Sequence, residues 1–535
     1  MKRIVAALAL ILSAGVAFGQ NAQTVPLNWH LLDHQKDGVY GISLEKAYQE
    51  LLQNKKADTV LVAIIDSGID TLHEDLRPVL WHNRLEMAGG STDPDKNGYA
   101  GDIYGWNFLG SDDPTKNVTK DSYESQRFYF KYKDKFANVT SEEQVKKKEC
   151  QLYHDWLRSK AHVIEVSEEG QAVEMLYSLL EIYPRLDSYF TSYLKTDTFT
   201  AQDLDTLKTN NVKALQATKL YGLMFEKAKP GITNKQLPEY LQQYADSMKM
   251  TLKAPETPPV DYRGRVVEDN YSNFKDRYYG NSNIMAGDPT HGTHVAGIIG
   301  AVRDNGLGVN GVANAVKIMM IRAVPDGDEH DKDIALAIRY AVDNGAKIIN
   351  MSFGKSFSPE RKWVEDAIKY AQKHDVLLVK AAGNESENVD VVPYFPNPLT
   401  IKKHKKAPNM ITVGASGPAG TSLVAPFSNY GKNIVDVFAP GANIYSTIPG
   451  GNQYAPFSGT SMASPVVAGL AALIESYYPH LTAEQIKAVI EESVEKVNEP
   501  VINPGTGELV PMSELSRTGG IVNAYKAIKL AETYK

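Results

Sequence analysis

A chain of 535 residues, 43% hydrophobic and 23% charged, has an ordinary globular composition and is long enough for two or more domains. Its net charge of −7 argues against a nucleic-acid partner, which needs a basic patch. A single cysteine, Cys150, excludes an intramolecular disulfide, and its charged helical surroundings give it no histidine-bearing site to serve.

At the N-terminus, Lys2 and Arg3 precede an apolar run from Ile4 to Val16, and Ala17-Phe18-Gly19 offers small residues around a cut before Gln20. Residues 1–19 read as a signal peptide, with a run too short to span a bilayer. The expectation is an exported protein, periplasmic or extracellular, with no transmembrane segment. Residues 20–57 form a short lead-in, with helical spacing over Ser43–Leu52 and Ser43 as its cap.

The apolar run Thr59–Ile65 predicts a strand buried on both faces, ending at Asp66 with Gly68 in the turn. In open α/β sheets, functional groups collect at the carboxyl ends of such strands. Asp93, Asp95 and Asn97 then place oxygen side chains at alternate positions before Gly98. With the Tyr99 carbonyl and Asp102 they form a candidate calcium loop, the alternative being a solvated turn. Gly105–Phe108 returns to the core. From 110 to 260 the pattern turns helical, charged and Tyr-rich, with helices expected over 141–165, 171–183, 201–227 and 234–250, and then a Pro-rich linker at 254–259. The stretch is the size of a small domain.

The core pattern resumes at Tyr262. His291 opens a small-residue helix. Strands are expected over 316–324, 347–353, 376–382 and 410–415. Helices are expected over 333–344, capped by Asp333, and over 358–374, opened by Ser358 and Pro359. Strands alternating with helices predict a mostly parallel sheet. The acidic loop Asp326–Asp331 reads as a solvated connection, and Lys402–Lys406 as an exposed charge run. Ser458-Gly459-Thr460-Ser461 reads as a tight turn opening a buried helix. This sets Ser461 at its positive end, where free N–H groups suit an oxygen that gains charge. Two C-terminal helices, 482–494 and 521–531, close the pattern.

An acid, a base and a hydroxyl thus occur in the order Asp66, His291, Ser461, each in its own motif: Ile65-Asp66-Ser67-Gly68, His291-Gly292-Thr293-His294 and Gly459-Thr460-Ser461-Met462-Ala463. That order and those surroundings resemble the subtilisin-like serine proteases. The resemblance covers about 57–108 and 262–531 but not the helical stretch. It implies an α/β fold, a three-layer α/β/α arrangement with a mostly parallel sheet, here interrupted by an all-helical insertion. Residues 58–109 and 261–535 would form the catalytic domain and 110–260 the insertion. By resemblance, His291 takes the proton of Ser461, Asp66 orients His291, and Asn384 donates to the oxyanion. Ser352, Phe353 and Gly354, with Ala381, Ala382 and Gly383, wall the main specificity pocket and leave room for a large apolar side chain. Tyr394-Phe395-Pro396 lies behind that pocket, and His294 packs rather than binds metal. The expected activity is peptide-bond hydrolysis of peptide or protein substrates through an acyl-enzyme. It needs no cofactor, with calcium as a structural ion. A dedicated processing protease and an inactive protease-fold binding protein are the alternatives, and the insertion would gate the groove or recruit substrate.

Overall fold

A computed structural model of the chain describes residues 25–534 apart from 87–91, 166, 206, 208, 210, 227, 229–230, 253–255, 401–404 and 420–422. The leader expected over 1–19, the start of the linker and most of the 402–406 charge run lie outside the described residues. The chain divides into two compact units, Ser122–Val260 and the rest.

The first unit is built on a nine-stranded sheet. Its strands include β1 (Val60–Asp66), β2 (Gly105–Asn107), β3 (Val316–Arg322), β4 (Ile348–Met351), β5 (Leu377–Ala381), β6 (Met410–Ser416) and β7 (Val437–Pro440). The order across the sheet is Glu495–Lys496, Gly520–Ile521, β7, β6, β5, β4, β1, β3, β2, and every pairing is parallel except that of the first two. Along β1 the side chains alternate between two cores. Val62 and Ile64 pack with the helices Thr290–Gly300 and Thr460–Tyr477, whereas Ala63 and Ile65 pack with Asp331–Asp343 and Arg361–Lys373. A sheet covered on both faces explains why β1 carries no polar residue before Asp66, since each large apolar side chain buried there contributes about 1.5–3 kcal/mol. The three-layer α/β/α arrangement is therefore present.

The lead-in belongs to this core. Trp29, Leu31, Ile42, Leu44, Ala47 and Leu52 are buried in the same cluster as the Thr460–Tyr477 helix. Ser43 is not the expected cap: its backbone is left-handed, with φ 55°, and its hydroxyl accepts from Asn523 Nδ2 at 3.0 Å. Residues 110–121 also belong to the first unit, with Val118 buried and Asn117 accepting from Asn107 Nδ2 at 2.7 Å.

Four further expectations need correction. Asp333 is no cap but a buried carboxylate inside its helix, held by Arg263 at 2.8 and 2.6 Å. Ser358 opens no helix, because its hydroxyl donates to Asp331 at 2.9 Å and the helix starts at Arg361. The acidic loop is turned inward: Glu329 and Asp331 are buried, and Asp331 pairs with the Lys355 ammonium at 2.9 Å. At the C-terminus, Gly520–Ile521 joins the sheet, so the last helix begins only at Ala524, capped by Asn523.

The second unit consists of helices, chiefly Glu124–Phe136, Cys150–Glu165, Glu168–Leu194, Val212–Glu226 and Leu237–Thr251. The first of these lies outside the helical ranges read from the sequence. Aromatic residues fill its interior, with Tyr129 stacked on Trp156 at 5.8 Å and Phe199 edge-on to Tyr221 at 4.9 Å. Asp187 ties three segments together by accepting from Tyr221, Asn234 and Lys235, each at 2.8 Å.

Candidate active site

The carboxyl ends of β3, β1, β4 and β5 lie side by side, and the chemistry-bearing residues gather above them. Asp66 ends β1 and is 1% exposed. Its Oδ1 accepts from the Ser67 N–H at 2.8 Å and faces His291 Nδ1 at 2.7 Å, joining residues 225 positions apart. Burial lowers the His291 imidazole, but the charge and hydrogen bond of Asp66 outweigh that effect and hold it above its ordinary value of 6.5. The His291 side chain remains 40% exposed, so its outer edge is open.

The close approach of the His291 helix to β1 depends on Gly292. A Cβ there would lie 2.1 Å from the Gly68 carbonyl oxygen and 3.2 Å from Asp66 Oδ1, a clash with backbone that nothing flexible can relieve. One turn on, His294 is fully buried. Its Nε2 meets the Ala455 carbonyl at 3.0 Å and its ring stacks on Phe457 at 4.3 Å. Burial pushes it down to about 4, so it is a neutral packing residue.

Ser461 is the second residue of the helix Thr460–Tyr477, at the end where the first N–H groups of a helix lack the carbonyl partners of its interior. The end of β4 fixes this helix in place. Ser464 donates to Asn350 Oδ1 at 2.8 Å, Asn350 Nδ2 donates to Ser352 Oγ at 2.9 Å, and Ser352 Oγ donates to the Ser461 carbonyl at 2.8 Å. The Ser461 hydroxyl donates to the Ser352 carbonyl at 3.0 Å rather than to the imidazole. Asn384, just past β5, is exposed. Its Oδ1 accepts from the Thr460 N–H and hydroxyl at 2.8 and 3.0 Å, which turns its NH2 the other way. A Cβ placed on Gly459 would lie 3.6 Å from both Asn384 Nδ2 and the Ser461 backbone nitrogen, so both nitrogens border the space beside Gly459. A hydroxyl, an imidazole backed by a buried carboxylate and two nitrogen donors bordering one space are the groups needed to attack a carbonyl and hold the resulting oxyanion.

Ser352 and Gly354, and Ala382 and Gly383, flank the start of the Ser461 helix, and Gly383 N–H donates to Thr460 Oγ1 at 3.1 Å. The room expected between these walls is taken, because the Tyr394 ring stands there with its hydroxyl donating to the Gly354 carbonyl at 3.0 Å. Phe353 and Ala381 are buried beside them.

The candidate metal loop gathers a different set from the one the spacing suggests. The Asp93 carboxylate is used by the N–H groups of Asn97 and Gly98 at 3.1 and 2.8 Å. Asn97 turns its NH2, not its carbonyl, to Asp95 and Asp102 at 3.1 and 2.9 Å, and the Tyr99 side chain packs among aromatics. Glu86, Asp95 and Asp102 instead bring carboxylate oxygens within 4.8 Å of one another. Glu86 Oε1 is buried and has no hydrogen-bond partner among the described residues, and burial pushes Asp102 up to about 6. An orphaned buried oxygen beside two further carboxylates suits a hard, oxygen-seeking cation such as calcium. Glu86 precedes the loop, so the spacing within 93–102 carries no signal for it.

Residues 57–508 match the model of the subtilase family. The chain is 39% identical over 239 residues to a thermophilic serine proteinase of Bacillus sp. (strain AK1), a match covering 44% of this chain and 52% of that one. It is 34% identical over 287 residues to the cell wall-associated protease of Bacillus subtilis (strain 168), covering 51% and 30%. It is 33% identical over 271 residues to thermitase of Thermoactinomyces vulgaris, covering 49% and 85%. The matched stretch thus spans about half of the first relative's length and under a third of the second's.

Proposed function

The chain belongs to the subtilase family, and we propose that it is a serine endopeptidase acting through Asp66, His291 and Ser461. The observation that carries this reading is the 2.7 Å bond from a buried Asp66 to His291, which joins two of the three motifs across 225 positions of chain. In the reaction, the Ser461 hydroxyl leaves the Ser352 carbonyl and gives its proton to His291 Nε2 as Oγ attacks the peptide carbonyl. Asp66 holds the imidazole by Nδ1 and stabilises its cation. Asn384 Nδ2 and the Ser461 N–H receive the oxyanion, His291 protonates the leaving amine, and water repeats the sequence on the acyl-enzyme.

Fluorophosphonate labelling of the purified chain tests this, with Ser461→Ala as control. Label on wild type and none on the variant is the expected result. A well-folded wild type that takes no label overturns it. Export to a periplasmic or extracellular site is part of the proposal, supported by Lys2, Arg3 and the run Ile4–Val16. A structural calcium held by Glu86, Asp95 and Asp102 is a further part, supported by a buried Glu86 oxygen that has no partner among the described residues. A dedicated processing role is the second reading, favoured by the presence of a whole folded unit, Ser122–Val260, that the chemistry does not require. Cleavage of unfolded casein would favour the general enzyme, and cleavage confined to particular folded partners the specialist.

A further inference from the structure

In a protease the side chain next to the scissile carbonyl, P1, must enter whatever space adjoins the nucleophile and the oxyanion donors. Here that space lies between the strand extensions after β4 and β5, both bonded to the first residues of the Ser461 helix. Each extension carries a glycine facing the gap. A Cβ on Gly354 would lie 2.3 Å from Tyr394 Cε1, and one on Gly383 would lie 2.9 Å from Tyr394 Cζ. One ring therefore reaches both walls, although Asn429 Nδ2 and Glu385 Oε2 lie nearer still to Gly383, at 2.2 and 2.5 Å from such a Cβ.

The ring is held on several sides. Its hydroxyl donates to the Gly354 carbonyl at 3.0 Å, with Glu385 Oε1 at 3.4 Å, and Glu385 is itself held by Asn429 Nδ2 at 2.5 Å. The Lys380 ammonium, on buried β5, lies 5.0 Å from the ring centroid. A side chain with these contacts is part of the pocket and not a passing rotamer.

We propose that Tyr394 is a specificity-determining residue, closing the P1 pocket so that the enzyme cleaves after small residues (glycine, alanine, serine) and rejects large apolar or aromatic ones. The proposal rests on the peptidase reading above. A bulky P1 group would have to displace the ring, breaking its bond to Gly354 and exposing Lys380. A methyl or hydroxymethyl group sits above the ring without displacing it.

The test uses the full chain and fluorogenic peptides that differ only at P1. Wild type should prefer alanine over phenylalanine by at least about 10-fold in kcat/KM, the scale on which pockets discriminate by size. Tyr394→Gly should erase or reverse that ratio, and Tyr394→Phe, which keeps the ring, should retain it. Wild type that takes fluorophosphonate at Ser461 yet cleaves after phenylalanine as readily as after alanine overturns the pocket proposal alone. So does a Tyr394→Gly enzyme that cleaves with the wild-type ratio. If Tyr394→Gly fails to fold, the wild-type ranking still decides. Wild type that neither labels nor cleaves any peptide overturns the peptidase reading and this proposal with it.

Discussion

Asn384 sits at the meeting point of catalysis and helix stability, and its two ends can be separated. Its Oδ1 accepts from both the N–H and the hydroxyl of Thr460, while its NH2, which takes no part in those bonds, is the proposed oxyanion donor. Asn384→Ala removes both functions. Losing one oxyanion donor costs about 2.7–4 kcal/mol, the loss seen when one such donor is removed in a member of this family, so kcat should fall about 100- to 1000-fold. KM should hardly move, because the oxyanion exists only after attack. Losing the acceptor frees the first N–H of the Ser461 helix, which should lower stability by about 0.5–2 kcal/mol, as for other caps. Asn384→Asp keeps the acceptor and removes the donor, so kcat should fall at least as far while the melting temperature holds. The assay is steady-state kcat and KM on an alanine-P1 peptide, beside thermal melting of the three proteins. Asn384→Ala with kcat within about threefold of wild type would refute the donor role. Equal melting losses in the Asp and Ala variants would refute the cap.

For His291, catalysis needs the neutral imidazole, so kcat/KM should rise with pH through a midpoint above 6.5. Asp66→Asn removes the charge but leaves the burial, so an imidazole titration followed by NMR in a Ser461→Ala background should move below 6.5. The stabilising part of this pair runs the other way: it is complete below pH 6.5 and fades as pH rises through the raised value. Arg263→Met leaves the buried Asp333 carboxylate with the neutral Tyr279 hydroxyl and Asp269 with Lys332, and should destabilise the first unit by about 3–5 kcal/mol in urea unfolding; a loss under about 1 kcal/mol would count against that cluster. Calcium should raise the melting temperature of wild type but not of a Glu86→Gln, Asp95→Asn double variant, and Asp93→Asn should keep most of the response. An equal response in all three would remove the Glu86-centred site.

What the sequence makes legible is whatever rests on local pattern. The two-sided burial of β1 is written in Val60–Ile65, and the small residues after His291 and Ser461 announce helices that pack closely. Asp66 and His291 are brought together by the sheet's parallel order, which the strand–helix alternation implies. What it hides depends on partners distant in the chain. Asp333 looks like a helix cap until Arg263, 70 positions earlier, claims it. The acids of 326–331 look solvated until Lys355 draws Asp331 inward. The pocket looks roomy because its wall residues are small, while the group that fills it, Tyr394, returns from a loop 40 positions beyond Gly354. Glu86 joins Asp95 and Asp102 from outside their loop, where no spacing rule reaches.

The first unit leaves the sheet after β2 and re-enters it before β3 at nearly one place. Lys120 Nζ lies 5.2 Å from the Tyr262 ring centroid, and the Asp121 N–H donates to the Asp326 carbonyl at 2.7 Å. For a chain searching for its fold, closing a loop over an unstructured Ser122–Val260 would carry the entropy of its whole length. If that unit folds by itself first, its own length drops out of the loop that β1 and β3 must close. Such an arrangement lets a whole folded module be acquired, exchanged or lost over evolutionary time while strand pairing and the timing of assembly stay nearly untouched.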